Sequence, residues 1–241
     1  MTSQINNSKQ HVLYPSIDPS FVPSSWVDWL RRGWHSVNTE EWLKGYLLAK
    51  LDADLAFVRQ LASERADFRR MTQRLEREVI GDLIRAQHHL PWHTKRRKQF
   101  FVEEREGQQL ILNQREHALP VSQVNSLVLM AVEQGDMEMA RKRFTFAWLI
   151  PTVLCSVETH RSLPTACADF DLPYQRYQGI EGLRLIRFDG AKIDPARYSK
   201  DDLLSDLAAI QPLRPIVDGL VGLTLPTAEE EAKFTQSKTK H

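Results

Sequence analysis

Residues 38 to 58 read NTEEWLKGYLLAKLDADLAFV, and this stretch decides the fold class. A leucine or valine recurs every three or four residues, which places these side chains on one face of an α-helix. Asn38 is a favoured N-cap, and Glu41 stands three residues later, as in a capping box. The stretch therefore predicts an amphipathic helix with one buried face. The buried stripe is predicted to consist of Leu43, Leu47, Leu51, Leu55 and Val58.

A second stripe of apolar residues follows and consists of Phe68, Met71, Leu75, Val79 and Leu83. The helical pattern extends towards Pro91, whose ring excludes the helical conformation of the residue before it. We therefore predict two helices, or one bent helix, over residues 39 to 88.

After Pro120 the helical spacing of apolar residues returns, and Gly135 followed by Asp136 interrupts it with a stop and a fresh N-cap. A short joint of this kind folds one helix back onto the helix before it. We therefore predict an antiparallel helical hairpin whose second helix covers residues 137 to 150.

Short β-prone runs interrupt the helical pattern. The segment KQFFVEEREGQQLIL places two such runs around Gly107, which favours a β-hairpin near residues 98 to 112. The alternation of residues 183 to 188 predicts a further strand, and Ser199 with Asp202 predicts the start of another helix. The expected fold class is mainly α (α+β), with a helical N-terminal part that carries one short β-hairpin and a smaller mixed, loop-rich C-terminal part.

The predicted organisation of the chain has four parts. Pro15, Pro19 and Pro23 fix their own φ angles and lack a donor, which favours an extended arm at the N-terminus. The final residues are polar and charged, which is typical of a solvated tail. The parts are the proline-punctuated arm over 1 to 24, a mainly helical domain over 25 to 158, a mixed segment packed on it over 159 to 226, and a flexible tail over 227 to 241.

The composition excludes several classes of protein. Of the 241 residues, 42% are hydrophobic, which is enough for a packed core. The 32 basic and 31 acidic residues nearly cancel, so that binding to nucleic acid or to an anionic membrane would require a local patch. Two cysteines are too few for a disulfide scaffold, and the sequence shows neither a secretory signal nor an 18-residue apolar run. We therefore expect a cytoplasmic protein that does not enter a membrane.

The largest local excess of positive charge supplies the leading functional hypothesis. Three arginines recur at helical spacing opposite the second apolar stripe, and the segment TKRRK follows them beside a tryptophan. Arginine and lysine bind phosphates, and tryptophan stacks on bases. We therefore predict a non-enzymatic protein that associates with DNA or RNA. The predicted contact residues are Arg70, Arg74, Arg77, Trp92, Lys95, Arg96, Arg97 and Lys98.

Two alternatives stand beside this hypothesis. Acidic residues such as Glu78 and Asp82 interleave with the arginines, so ordinary surface ion pairs can account for the same helix. The chain can instead be a protein-binding adaptor or assembly subunit that associates with a partner or with itself through Trp26, Trp29 and Trp34. Aromatic residues at helical spacing also pack in cores, and for these tryptophans a place in the core is favoured over an interface.

Metal, cofactor and catalytic sites are not predicted. Cys155, His160 and Cys167 could supply zinc ligands, but their spacing does not match the common zinc sites. Asp189 and Lys192 flank a glycine turn, whereas a metal-dependent nuclease places such residues on one face of a strand. No glycine-rich phosphate loop or nucleophile motif occurs in the sequence. An enzyme whose site is assembled from distant residues remains a third possibility.

Overall fold

The computed structural model describes residues 39–64, 69–85, 90 and 100–239, and the structural statements below concern these residues. The predicted arm over 1 to 24 and the predicted tryptophan surface at Trp26, Trp29 and Trp34 lie outside them. Among the helices that the structure describes, none combines the length and the apolar character required to cross a membrane.

The first helical unit begins with helix α1 (Thr39–Trp42), continues through a π-helical segment (Leu43–Leu48) and ends with helix α2 (Ala49–Glu64). The predicted stripe is confirmed, because each of its five residues is at most 4% exposed. The five residues are Leu43, Leu47, Leu51, Leu55 and Val58.

Helix α3 (Arg69–Arg85) packs against α2, as the prediction of two helices requires. Leu83 of the predicted stripe is buried, but Val79 is only partly buried. The buried face is rotated towards Ile80 and Ile84, which are fully buried. Helix α4 (Val121–Glu133) explains the rotation. A side chain added at Gly81 would stand 3.3 Å from Cγ1 of Val121, so α3 approaches α4 closely on this side.

The predicted helical hairpin is confirmed. Helix α4 is joined to helix α5 (Met137–Leu149) by a tight turn in which Gly135 has a φ of +79°. The carboxylate of Asp136 caps α5 by accepting a hydrogen bond of 2.8 Å from the backbone N–H of Met139. The two helices pack against each other along their length and bury most of α4.

Five strands form one mixed sheet. The strands are β1 (Phe101–Arg105), β2 (Leu112–Glu116), β3 (Val153–Ser156), β4 (Leu183–Arg187) and β5 (Lys192–Ile193). Their order across the sheet is β2-β3-β1-β4-β5. Strands β1 and β3 are parallel, and the other neighbouring pairs are antiparallel.

The β-hairpin predicted near residues 98 to 112 is wrong, because only its first run forms a strand, β1, and β2 begins at Leu112, where the second run ends. Strand β3 lies between β1 and β2, so these two strands are not paired with each other. Gly107 does form a turn after β1, with a φ of +71°. The error has a physical cause, because β3 continues an apolar run that begins in α5, and a short buried strand has no alternation to reveal it.

The C-terminal part contributes strands β4 and β5 to the same sheet. Helix α6 (Val157–Ser162) comes before them and follows β3 directly, and short 3-10 turns lie at Gln175–Tyr177 and Gln211–Leu213. Three helices come after β5, namely α7 (Lys200–Ala208), α8 (Arg214–Asp218) and α9 (Ala228–Thr239). The predicted strand over 183 to 188 and the predicted Ser199–Asp202 capping box are confirmed. One continuous core extends from Leu43 to Leu223 and joins the helical and the mixed parts.

Helix α9 occupies most of the segment that was predicted to be a flexible tail. It packs on α4, where the Ser126 and Thr235 hydroxyl groups stand 3.3 Å apart. Glu231 is buried and accepts a hydrogen bond of 2.9 Å from the Thr235 hydroxyl. Few apolar side chains anchor this helix, which is why its polar sequence gave no sign of packing.

Candidate interaction surfaces

The predicted cationic face of α3 is partly neutralised. Arg74 donates a hydrogen bond of 2.7 Å from Nε to Glu78 Oε1, and this contact raises the pKa of the guanidinium. Arg85 forms an ion pair of 3.1 Å with Asp82. Arg77 is exposed and forms no ion pair with any residue that the structure describes.

The other predicted nucleic-acid contacts fall outside the description. Arg70 lies within α3, but its side chain is not among those described. Five of the predicted residues precede β1 in the undescribed range 91–99. They are Trp92, Lys95, Arg96, Arg97 and Lys98. The described part of α3 therefore presents a mixed surface of paired charges, with Arg77 as an exposed cation.

A different surface lies on the side of α2 that points away from the core. We call it the outer helix face, and it consists of Tyr46, Ala49, Ala53, Ala56 and Phe57, all of which are exposed. Tyr46 is 48% exposed and Phe57 is 61% exposed, and within the described ranges they are two of four large apolar side chains at the surface. Sequence reasoning did not identify this face, although Phe57 stands off the buried stripe in a run of alanines.

The outer helix face is held in a fixed orientation. Asp52 accepts hydrogen bonds of 3.1, 3.0 and 2.6 Å from the guanidinium of Arg141, which fastens α2 to α5. Tyr46 lies in the π-helical segment and stacks on Trp42, with ring centroids 4.4 Å apart. Trp42 itself is partly buried against the core. Trp42 therefore packs on the core with part of its side chain exposed.

Comparison with protein-family models, with curated proteins and with solved structures finds no match. Buried polar groups and exposed surfaces of the chain itself are therefore the basis on which a function can be proposed.

The carboxylate of Glu103 on β1 is inaccessible to solvent. It accepts hydrogen bonds from the Ser156 backbone N–H at 2.8 Å, from the Thr159 hydroxyl at 2.5 Å and from Nε of Arg105 at 2.8 Å. All of these donors come from β1, β3 and α6, so the carboxylate ties the sheet to the helix that follows β3. Its acceptor positions are occupied within the protein, which indicates a structural role.

A second polar cluster lies at the end of β2. Glu116 stands 2.6 Å from Nδ1 of His160 and 3.2 Å from Nη1 of Arg176. Arg176 also donates to the backbone carbonyls of Pro164 and His117, at 2.7 and 3.0 Å. These contacts connect β2, α6 and the 3-10 turn at Gln175–Tyr177, and they too are consistent with stabilisation of the fold.

The cysteines are not arranged as metal ligands. Burial raises the pKa of the Cys155 thiol to about 12, with the nearby carboxylates of Glu103 and Glu116 adding to the effect. Cys167 is buried and donates from Sγ to the backbone carbonyl of Asp169 at 3.0 Å. Across the described residues, no three histidine, cysteine or acidic side chains come together as a metal site. Both cysteines therefore pack as small apolar residues.

The acidic residues near β4 take part in ion pairs. Asp189 accepts hydrogen bonds from Nε and Nη2 of Arg187 at 3.0 and 2.7 Å, and Arg187 also contacts Asp206. Lys192 pairs with Glu104 at 2.9 Å. The glycine turn predicted between Asp189 and Lys192 is confirmed, because Gly190 has a φ of +86° between β4 and β5.

Proposed function

We propose that the protein is an assembly subunit whose outer helix face pairs with the same face of a second copy. The observation that carries this proposal is the exposure of Phe57 at 61% and of Tyr46 at 48% on either side of three exposed alanines. Large exposed apolar groups close to one another are typical of sites that bind another protein. Fully burying one phenylalanine side chain contributes about 1.5–3 kcal/mol.

The spacing of the outer helix face favours a second copy over an unrelated partner. Ala49 and Phe57 lie four residues before and after Ala53. In an antiparallel pair of identical helices that cross at Ala53, the ring of Phe57 meets Ala49 of the second copy. Both copies make this contact, because a two-fold axis repeats every interaction. Small side chains at the crossing point let the two backbones approach closely enough for the rings to be covered.

The proposal is tested by measuring the mass of the full chain in solution by sedimentation equilibrium. We expect a dimer that Phe57→Glu weakens by about tenfold or more, because interface rings of this kind carry a large share of the binding energy. Val221→Glu is the matched control, since Val221 is 78% exposed and lies far along the chain in the loop after α8. A wild-type chain that is monomeric at high concentration contradicts the proposal, and so does a dimer that both variants leave intact.

The position of the two-fold axis is tested by oxidative cross-linking. In an Ala53→Cys variant the two new thiols meet at the axis, and a disulfide forms when the Cα atoms approach within about 7 Å. The native cysteines do not interfere, because both are buried. We expect rapid dimer formation for Ala53→Cys and none for Ser63→Cys, which lies on an exposed position near the end of α2. Equal cross-linking of both variants would place the contact elsewhere.

A second candidate function is association with nucleic acid. It is supported by the exposed Arg77, which has no carboxylate partner in the described part of the chain, and by the run TKRRK at residues 94 to 98. Backbone phosphates would be the ligands, so that binding would weaken steeply with added salt. The paired Arg74 and Arg85 make this candidate less favoured than assembly.

The nucleic-acid candidate is tested by a gel shift at low salt with the Arg96→Glu, Arg97→Glu double variant. We expect the wild-type chain to shift a single-stranded oligonucleotide and the double variant to lose the shift if phosphates are bound there. Nuclease treatment during purification, followed by measurement of the absorbance ratio, provides an independent check. An unshifted oligonucleotide at low salt removes this candidate.

A further inference from the structure

His117 lies at the joint between the sheet and the first helix of the helical hairpin. It directly follows the last residue of β2, and three residues separate it from Val121, the first residue of α4. The next two residues, Ala118 and Leu119, are 1% and 3% exposed and belong to the continuous core. The backbone carbonyl of His117 accepts a hydrogen bond of 3.0 Å from Nη1 of Arg176. The place of this short segment therefore depends on what surrounds His117.

One nitrogen of the His117 ring is enclosed. Nε2 is shielded from solvent, and no group in the part of the chain that the structure describes forms a hydrogen bond with it. A neutral imidazole tolerates this site, because its proton can sit on Nδ1 and leave Nε2 without a hydrogen to donate. A charged imidazolium carries a hydrogen on both nitrogens, so that Nε2–H would be buried without an acceptor. The enclosure therefore favours the neutral ring.

Among the described residues, the charged groups that face His117 offer a proton on its ring no free counter-ion. Arg85 on α3 and Arg176 in the 3-10 turn both repel a positive charge there. Glu116 attracts it, but the two carboxylate oxygens already contact Nη1 of Arg176 at 3.2 Å and Nδ1 of His160 at 2.6 Å. Burial lowers the pKa of His117, and although the Glu116 carboxylate opposes this shift, the two arginines add to it.

We propose that His117 makes the joint between β2 and α4 sensitive to pH. While the ring is neutral, it fits the enclosed site, and the segment over 117–120 stays packed on the core. When the ring takes up a proton from water, a charge arises beside two guanidinium groups, and the segment moves out until the imidazolium reaches solvent. The start of α4 loosens with it, because the segment leads directly into that helix.

The direction of the pH effect follows from the two states of the joint. In the open state His117 takes up a proton near its ordinary pKa of about 6.5. In the closed state its pKa is lower, so the closed state is fully favoured above about pH 6.5 and loses this advantage as the pH falls. Carboxyl groups titrate near about pH 4, so a window from about pH 7.5 to about pH 5.5 isolates the histidine.

The test is hydrogen exchange of the full chain, followed by mass spectrometry at the two ends of this window, with exchange times scaled for the chemical effect of pH. We expect the protection of residues 117–124 to fall by about fivefold or more at the acid end, because each unit of lowered pKa corresponds to a tenfold change. The amide of Cys167 should lose protection too, since its N–H is donated to Oε1 of Gln123 on α4 at 2.6 Å. Helix α7 is the internal control and should keep its protection.

Two variants remove the titrating group, one with a polar and one with an aromatic replacement. In His117→Gln and in His117→Phe, the protection of residues 117–124 should be the same at both ends of the window. His160→Gln is the matched control, because His160 is the other histidine within the described ranges and contacts the same carboxylate. The acid loss of protection should persist in this control.

A measurement on the wild-type chain makes the test independent of the folding of these variants. The imidazole NMR signals of His117, followed as a function of pH, should give a pKa below the ordinary value of about 6.5. A ring that titrates at or above that value would contradict the proposal.

Three results of the exchange experiment would also overturn the proposal. The first is equal protection of the wild-type joint at both ends of the window. The second is an acid loss that persists in both His117 variants or disappears in His160→Gln, and the third is an equal loss in α7, which would indicate general destabilisation. Repeating the measurement in Phe57→Glu separates this proposal from assembly, because the joint lies within one copy of the chain and should respond to pH in a monomer.

Discussion

The two faces of the sheet differ most clearly along strand β1, where neighbouring residues of similar type have opposite surroundings. Glu103 points to the inner face and has no exposed side-chain surface, whereas the side chain of Glu104 on the outer face is 43% exposed. Phe101 is fully buried between Tyr174 and Tyr198, whereas Val102 is partly exposed. The inner face of β1 is therefore part of the core, whereas Val102 and Glu104 on the outer face are partly exposed.

The largest expected effect compares Phe101→Ala with Val102→Ala. Removing the Phe101 ring leaves a cavity next to Tyr174 and should lower the free energy of unfolding by about 3–5 kcal/mol. Val102→Ala removes two methyl groups from a partly exposed site and should lower it by about 1 kcal/mol. Urea denaturation of both variants provides the measurement. Similar losses for the two variants would mean that Val102 is as much a part of the core as Phe101.

A second comparison uses the adjacent carboxylates. Glu103→Gln places an amide N–H₂ among the N–H and O–H donors of Ser156, Thr159 and Arg105, and should lower the free energy of unfolding by about 2–3 kcal/mol. Glu104→Gln breaks only the exposed pair with Lys192, which should change stability by less than about 1 kcal/mol.

The helices could be predicted because their signals are local. The stripe from Leu43 to Val58 repeats with the period of the helix, and Gly135 with Asp136 supplies a turn and a cap within two residues. The second stripe was misplaced by a rotation of α3, because the close approach at Gly81 is set by a helix forty residues later. Periodicity identifies a helix, but the neighbouring elements decide which of its sides is buried.

The sheet and the surfaces could not be predicted, because they depend on residues far apart in the sequence. The four residues of β3 continue an apolar run, and their insertion between β1 and β2 is decided by pairing over about forty residues or more. The alignment of Leu154, Val102 and Ile186 across the middle of the sheet exists only through that order of strands. The outer helix face was missed for a different reason, since Phe57 reads as one more apolar residue until the packing of α2 is known.

The smallest expected effect concerns Asp189, which lies in the turn between β4 and β5. Burial alone would raise the pKa of this carboxyl, but hydrogen bonds from Arg187 and from the Ala191 backbone N–H outweigh it and lower the pKa. A carboxyl with a lowered pKa in the folded state adds stability above its ordinary pKa of about 4 and loses it as the pH falls through the folded value. Asp189→Asn should therefore lower the free energy of unfolding by about 1 kcal/mol at neutral pH, and the difference from wild type should shrink below about pH 4.

Asp218→Asn is the control, because its exposed pair with Arg214 at 3.9 Å should contribute little at any pH. A difference for Asp189→Asn that stays constant down to pH 2 would show that the turn geometry, and not the charge, stabilises this end of the sheet.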